Sequence, residues 1–283
     1  MRLTANIFIV IVCNIFTLSG CTQSPAKQKQ VIGDATSQKF TVSTVPAVIT
    51  TQSERAEFVM THYWDNFNFS DTTLIARAEY TEQAFADFIN LLSAVSPQLA
   101  TQGITTMITR AEVDSKMLAH FMEMAEKYLY EPNSPMRNGE QYIIVLKKIV
   151  GSNKLSEIEK VRPQHQLDLA LKNRVGHKAI DFTYTTEQGG KRRLYNIKGD
   201  KILLFFFRPD CESCKATKKY VQEHGIEKLA TIVWVNPDID AHIDNDYDLR
   251  ASPTLYLLDS NKTVILKDAM IEQIEHYLME RSQ

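Results

Sequence analysis

Cysteine is scarce in this chain, with four residues among 283. Cys13 and Cys21 lie close to the N-terminus, so that only Cys211 and Cys214 remain in the rest of the chain. A single close pair excludes a scaffold held together by several disulfides. A disulfide that closes so short a loop would add little stability, because the entropy that a crosslink removes grows with loop length. The pair therefore indicates redox chemistry rather than a structural crosslink.

The chain also lacks an excess of basic residues, since it contains 32 Lys and Arg and 34 Asp and Glu, which gives a net charge of −2. This balance argues against a nucleic-acid-binding protein, which needs clustered positive charge. No fixed-period repeat is present, which excludes a solenoid. With 44% hydrophobic and 23% charged residues, the composition is typical of a soluble globular protein, and the length suits two domains.

The N-terminal segment differs from the rest of the chain. Arg2 is the only charged residue before Lys27, and the apolar run 7–18 is too short to span a bilayer but suits a signal-peptide core. The run ends in Leu18-Ser19-Gly20-Cys21, which resembles the bacterial lipoprotein signal, and Thr22 rather than Asp resembles sorting to the outer membrane. The resemblance implies a lipidated Cys21 and a membrane anchor in a Gram-negative cell envelope, facing the periplasm. An uncleaved anchor or a coincidental cysteine is the alternative.

The remaining chain divides by composition and periodicity. After a signal peptide at 1–20, residues 21–52 are rich in Ser, Thr, Gln and Lys, which predicts a flexible tether. Residues 53–173 show apolar positions at helical spacing, which predicts an all-α domain of five or six short helices. Residues 174–283 alternate strand and helix patterns, which predicts an α/β sheet. Within this last part, the segment 236–252 is long enough for a crossover between parallel strands.

The cysteine pair follows a buried strand and opens a helix. The unbroken apolar run 202–207 predicts a strand that is covered on both faces, and the residues after Cys214 are helical in pattern. A helix N-terminus offers unpaired N–H groups and a positive dipole end, which stabilise a thiolate. Cys211 is therefore the expected nucleophile, and Cys214, one turn further on, can attack and resolve a mixed disulfide.

This order of motifs resembles the thioredoxin family. A buried strand, Cys211-Glu212-Ser213-Cys214, a helix and then Ser252-Pro253-Thr254 before another strand follow that family's layout, and the segment 176–182 resembles the opening of membrane-anchored thiol–disulfide oxidoreductases and peroxiredoxin relatives. The resemblance implies a thioredoxin-like C-terminal domain in which Pro253 is the cis-proline and, with Ser252, guides the substrate. The stretch 62–69 resembles the start of a helical domain of unknown function found in some bacterial lipoproteins.

Three positions depart from the family pattern. Ile180 stands where the opening segment usually has Pro. Asp210 stands where the residue before the first cysteine is usually Trp, and Phe205 stands where thioredoxin buries a carboxylate that assists proton transfer. Asp210 and Glu212 oppose a thiolate on Cys211, whereas nearby lysines and an arginine favour it. The sequence leaves the direction of the pKa shift of Cys211 open.

Other motifs have weaker chemical interpretations. The cysteine pair could be half of a zinc site, but no third cysteine remains, and His224 and His242 lack ligand-like spacing. The acidic segment 244–248 begins like a calcium loop but has Leu249 where the loop needs Gly, so a solvated acidic loop is expected. The aromatic stretch 62–69 is expected to be core and helix-capping material rather than a ligand site. No metal and no cofactor are predicted.

The sequence thus predicts a membrane-anchored thiol–disulfide oxidoreductase of the cell envelope. Its expected partners are protein thiols and disulfides, an unidentified electron donor and the membrane, without nucleic acid. The alternative is a binding lipoprotein whose thioredoxin-like scaffold is redox-silent, because fold alone does not establish activity.

Overall fold

The computed structural model describes residues 39–280. Cys13, Cys21, the predicted signal peptide and most of the predicted tether lie outside these residues. The described chain begins with a helical region and continues into an α/β region. Among residues 39–280, no helix combines the length and apolar character needed to cross a bilayer.

The helical region contains six α-helices in the part of the chain that the structure describes. They are α1 (Gln52–His62), α2 (Ala78–Leu92), α3 (Pro97–Ala111), α4 (Ser115–Ala125), α5 (Gly139–Val150) and α6 (Glu157–Ala170). A π-helical turn, Glu126–Tyr130, follows α4 directly.

Side-chain caps explain where these helices begin. The Ser96 hydroxyl accepts from the Leu99 N–H, with Pro97 in the first turn where its missing N–H costs nothing. The Ser156 side chain and Glu159 form a reciprocal capping box at the start of α6. These local signals account for where α3 and α6 begin.

Aromatic rings form much of the helical core. Trp64 is 2% exposed and packs against Phe88 and Phe121, with ring centroids 5.2 and 5.4 Å away. Its neighbours Tyr63 and Phe67 are buried as well. The aromatic stretch 62–69 therefore belongs to the core, as expected.

The packed part of the chain begins earlier than the predicted end of the tether at residue 52. Phe40 lies against Tyr63, Trp64 and Tyr80, with ring centroids 5.4–5.8 Å away. A single aromatic residue in a polar segment hardly changes its composition, which is why the sequence placed Phe40 in the flexible part. Among the described residues, the tether interpretation does not hold for Phe40.

The α/β region contains a hairpin, a four-stranded sheet and two helices in the described residues. Its elements are β1 (Thr183–Thr185), β2 (Lys191–Arg193), β3 (Lys201–Phe206), α7 (Glu212–Glu223), β4 (Thr231–Val235), β5 (Thr254–Asp259), β6 (Val264–Lys267) and α8 (Ile271–Glu280). Strands β1 and β2 form the antiparallel hairpin, and the sheet has the order β4-β3-β5-β6.

The strand directions correct one expectation. Strand β3 is parallel to β4 but antiparallel to β5. The segment 236–252 therefore joins strands that run in opposite directions, and the crossover between parallel strands passes through α7 instead. A connection of that length permits either direction, so its length could not decide the topology.

Strand β3 is buried on both faces, as the apolar run predicted. Leu204 and Phe206 pack with Tyr247 on one face, whereas Leu203 and Phe205 pack on the other face in the cluster that contains Val221 of α7 and Ile274 and Leu278 of α8. The short segment 207–211 then joins the carboxyl end of β3 to the first turn of α7.

Polar contacts join the helical and α/β regions, whose apolar clusters are separate. The half-buried Arg137 side chain donates to the Asp268 carboxylate at 3.1 Å. Arg174 pairs with Glu140 through two hydrogen bonds. The two regions are thus in contact mainly through charged and hydrogen-bonding groups.

Candidate thiol redox site

Cys211 caps the helix that it precedes. The turn after β3 is closed by a hydrogen bond from the Cys211 N–H to the Arg208 carbonyl at 3.2 Å. Cys211 has extended backbone angles, and its Sγ accepts from the Cys214 N–H at 3.1 Å. The thiol therefore takes the place of the Ser or Asp side chain that usually caps a helix.

Two serines complete the surroundings of Cys211. The Ser213 Oγ lies 3.1 Å from its Sγ, and the Ser252 carbonyl oxygen lies 3.4 Å from it. The Ser213 hydroxyl also donates to that carbonyl at 2.8 Å. Cys211 is thus partly exposed at the contact between α7 and the loop that precedes β5.

The environment of Cys211 favours the thiolate. Burial alone would raise the pKa of the Cys211 thiol, but hydrogen bonds from Cys214, Ser213 and Ser252 and from the Cys214 N–H outweigh it and lower the pKa to about 7. The acid that follows Cys211 is already paired, because Lys215 donates to the Glu212 carboxylate at 2.6 Å. The pKa shift that the sequence left open is therefore downward.

Cys214 has the opposite environment. It is 3% exposed, and its Sγ lies 3.1 Å from the Ser252 hydroxyl. Burial, followed by the hydrogen bond with Cys211, raises the pKa of the Cys214 thiol. The two thiols therefore differ strongly in ionisation near neutral pH, and the more exposed one is the more ionised.

The structure brings Ser252 and Pro253 to the cysteines. The Ser252–Pro253 peptide bond is cis, and Thr254 begins β5 directly after it. Ser252 contacts both thiols, one through its carbonyl and the other through its hydroxyl. The four predicted site residues of the α/β region thus lie together, while Cys21 lies outside the described residues.

An aromatic residue, Phe205, occupies the position at which thioredoxin buries a carboxylate. Phe205 is completely buried, and its ring centroid lies 4.6 Å from that of Trp234 on β4. The Lys218 ammonium lies 4.8 Å from the centre of the same Trp234 ring. The space beneath α7 is therefore filled by apolar rings rather than by an acid.

Ser213 is the site residue that the sequence analysis did not assign. Its position between the cysteines was visible, but the family pattern gives no role to that residue. The only available signal was chemical, namely a hydroxyl in the first turn of a helix that begins at a thiol.

The structure also shows where the weaker motifs lie. Among residues 39–280, no group of three His, Cys, Asp or Glu side chains could hold a metal ion. His224 instead pairs with Glu275 at 2.8 Å. The acidic segment 244–248 is not simply solvated, because Asp246 pairs with Lys172 and the buried Asp248 pairs with Arg250.

A thiol-capped helix after a buried strand, facing a cis-proline loop, defines the class of thioredoxin-like proteins. The family model described as the AhpC/TSA family matches residues 175–270, and the model described as a domain of unknown function, DUF5106, matches residues 19–173. No curated protein matches the chain significantly.

Three solved structures are similar to most or to part of this chain. A thioredoxin-like protein from Bacteroides caccae is 41% identical, with a TM-score of 0.78 over 86% of this chain and 99% of that chain. The C-terminal domain of an uncharacterized protein from Bacteroides fragilis is 33% identical over 38% of this chain and 98% of its own, with a TM-score of 0.33. The thioredoxin domain of a thiol-disulfide oxidoreductase from Bacteroides vulgatus is 15% identical over 39% of this chain and 99% of its own, with a TM-score of 0.34.

This chain belongs to the DUF5106 family of helical domains and carries a thioredoxin-like domain of the AhpC/TSA family in its C-terminal part. The predicted fold class, an all-α region followed by a thioredoxin-like α/β domain, is confirmed.

Proposed function

We propose that this protein is a thiol–disulfide oxidoreductase that uses Cys211 and Cys214 as its reacting pair. The observation that carries the proposal is the contrast between the two thiols: Cys211 is partly exposed with a pKa lowered to about 7, whereas Cys214 is buried with a raised pKa. A thiolate is the nucleophile in disulfide exchange, so the pair has one group suited to attack and one suited to resolution.

The reaction consists of two exchanges. The Cys211 thiolate attacks a sulfur of a protein disulfide, forms a mixed disulfide and releases the other substrate sulfur as a thiolate, which takes up a proton. Cys214 then loses its proton, attacks the Cys211 sulfur and releases the second substrate thiol. Two electrons pass from the pair to the substrate, and an external dithiol, the unidentified electron donor, reduces the Cys211–Cys214 disulfide again.

The loop at Ser252 and Pro253 supports each step. The Ser252 hydroxyl, 3.1 Å from the Cys214 Sγ, is in place to hydrogen-bond the thiolate that resolves the mixed disulfide. Pro253 directly follows Ser252, whose carbonyl oxygen lies 3.4 Å from the Cys211 Sγ, and an extended substrate segment would lie along this part of the loop. Substrate guidance by Ser252 and Pro253 is part of this proposal.

The location is proposed from the N-terminal motif. Cleavage before Cys21 and acylation of that residue would place the protein on the outer membrane of a Gram-negative cell, facing the periplasm. Several acyl chains hold a protein on a membrane stably, whereas one chain does not. Disulfide exchange on envelope proteins fits this compartment, because disulfides persist there.

Reduction of insulin by dithiothreitol tests the proposal. The acyl-free protein that begins at Thr22 should accelerate the reaction, and Cys211→Ser should abolish the acceleration because the attacking sulfur is lost. A serine-to-alanine change remote from the thiols, Ser260→Ala, provides the control. Equal rates for the protein and its Cys211→Ser variant would contradict the catalytic proposal.

The second candidate is a redox-silent binding scaffold. The observation that favours it is Phe205, which is completely buried where a proton-transferring carboxylate would assist Cys214. The same insulin assay distinguishes the candidates, because a silent scaffold leaves the rate at the value for dithiothreitol alone.

A further inference from the structure

The loop that contacts both thiols is held on its other side by the helical region. Arg250 lies two residues before Ser252, in the segment that leads to β5. Its guanidinium lies over the ring of Tyr130, 3.3 Å from the ring centre. Tyr130 is the last residue of the π-helical turn Glu126–Tyr130 and is 6% exposed, so its ring is a fixed platform.

Hydrogen bonds fix the guanidinium on this platform. Arg250 donates to the Tyr130 carbonyl at 3.2 Å and to both carboxylate oxygens of Asp248, at 3.0 and 3.3 Å. Glu131 of the helical region lies 4.0 Å from the same guanidinium. The planar guanidinium of Arg250 is hydrogen-bonded on two sides and stacked on a ring, so it has one favoured position. This position restrains the backbone at residue 250 relative to the helical region.

On its other side, the loop at Ser252 and Pro253 contacts the two thiols through hydrogen bonds, whose strength depends strongly on distance. The Ser252 carbonyl accepts from the Ser213 hydroxyl at 2.8 Å and lies 3.4 Å from the Cys211 Sγ, and the Ser252 hydroxyl lies 3.1 Å from the Cys214 Sγ. Hydrogen bonds weaken steeply beyond such distances. A small shift of residues 251–253 would therefore move both the carbonyl that accepts near Cys211 and the hydroxyl that lies beside Cys214.

We propose that Arg250 is a positioning residue, which uses the Tyr130 platform of the helical region to hold the Ser252–Pro253 loop against Cys211 and Cys214. This inference rests on the proposed function, since Cys211 is taken as the reacting thiol. It gives the helical region a part in the chemistry without placing any of its side chains at the sulfurs.

The rate of Cys211 alkylation by iodoacetamide as a function of pH tests the proposal in the full acyl-free protein. Arg250→Ala frees the loop, and Tyr130→Leu removes the platform while the charge of Arg250 remains. The control is Arg174→Ala, which removes another arginine that bridges the two regions, through Glu140, but has no bond to residues 248–253. Thermal melting of each variant reports folding separately.

Arg250→Ala and Tyr130→Leu should both react about twofold to fivefold more slowly than the unchanged protein at neutral pH. The reason is that a displaced loop takes away the Ser252 hydroxyl, whose hydrogen bond helps to lower the pKa of Cys211. The control should keep the original pH profile even if it melts earlier. Arg250→Met, which keeps an unbranched stem over the Tyr130 ring, replaces the alanine variant if that variant is unfolded, and the same slowing is expected.

Three results would overturn the proposal. Unchanged profiles in folded loop variants would mean that the loop holds its position without Arg250. Slowing in Arg250→Ala but not in Tyr130→Leu would mean that the Tyr130 ring is not the support, because the main-chain carbonyl of residue 130 and Asp248 still bind Arg250 in that variant. If the slowing then faded at high salt, its cause would be a long-range effect of charge. Equal slowing in Arg174→Ala would indicate a general loss of stability. Alkylation needs no disulfide substrate, so these results stand even if the protein fails to reduce insulin.

Discussion

Ser213→Ala should raise the pKa of Cys211 with little change in the fold. The Ser213 hydroxyl lies 3.1 Å from the Cys211 Sγ and 2.8 Å from the Ser252 carbonyl. When Cys211 is a thiol, either contact can use the serine proton. When Cys211 is a thiolate, the sulfur has no proton to give, so Ser213 must donate to it, and the bond favours the charged form.

The size of the effect follows from the exposure of the site. A hydrogen bond to a charged group contributes about 1.5–3 kcal/mol when buried. Because Cys211 is partly exposed and water replaces the lost donor in part, we expect about 1 kcal/mol here, which corresponds to about 0.7 in pKa. From a pKa of about 7, the thiolate fraction at neutral pH would fall about threefold.

The assay is the pH dependence of Cys211 alkylation, with the modified residue identified by mass spectrometry. Thr217→Ala is the matched control, because its hydroxyl lies one turn further along α7 and donates to the Ser213 carbonyl at 2.8 Å rather than to sulfur. An unchanged midpoint in Ser213→Ala, or an equal shift in Thr217→Ala, would refute the assignment of Ser213 as a thiolate donor.

Three further predictions concern other parts of the proposed function. Cys214→Ser should trap envelope partners as mixed disulfides through Cys211, seen as reductant-sensitive bands on non-reducing gels after acid quenching; equal bands in Cys211→Ser would contradict the assigned roles. Cys21→Ala should abolish palmitate labelling of the protein in whole cells, and label retained by the variant would rule out that anchor. A fragment that begins at Asn173 should fold alone with a cooperative melt, because its apolar clusters are separate from that of the helical region; an unfolded fragment would mean that the two regions depend on each other.

Local patterns were enough to predict the cysteine pair because its parts are close in sequence, whereas Ser252 and Pro253 were expected from the resemblance to the thioredoxin layout. The apolar run before Cys211 is typical of a strand covered on both faces, and the helix after it places Cys214 one turn beyond Cys211. The helical core was predicted for the same reason, since the spacing of Phe85 and Phe88 marks one face of α2.

Contacts between distant segments could not be read in this way. Ser213 and Ser252 are 39 positions apart, and Arg250 and Tyr130 are 120 positions apart, so no local period connects either pair. The direction of the pKa shift of Cys211 depends on such contacts. The charged residues near Cys211 in sequence did not predict this direction, because only the structure shows which of them is paired with another side chain.

The interface between the two regions is better suited to fixing geometry than to adding stability. Asp268 is half-buried and bonded to Arg137 through one carboxylate oxygen, while its Oδ1 is buried without a hydrogen-bond partner. Burial, partly offset by Arg137, raises the pKa of Asp268, which shows that its environment is poor for a charge. Buried ion pairs of this kind recover little more than the cost of their desolvation.

The apolar clusters of each region therefore supply most of the folding free energy, and the polar interface selects one arrangement of the regions. The segment that carries Arg250 runs from this interface to the thiols. A protein that must hold two sulfurs within hydrogen-bond distance of a loop needs that loop to be fixed by directional contacts. The guanidinium of Arg250 provides them, because it stacks on Tyr130 and forms hydrogen bonds to Asp248 and to the Tyr130 carbonyl.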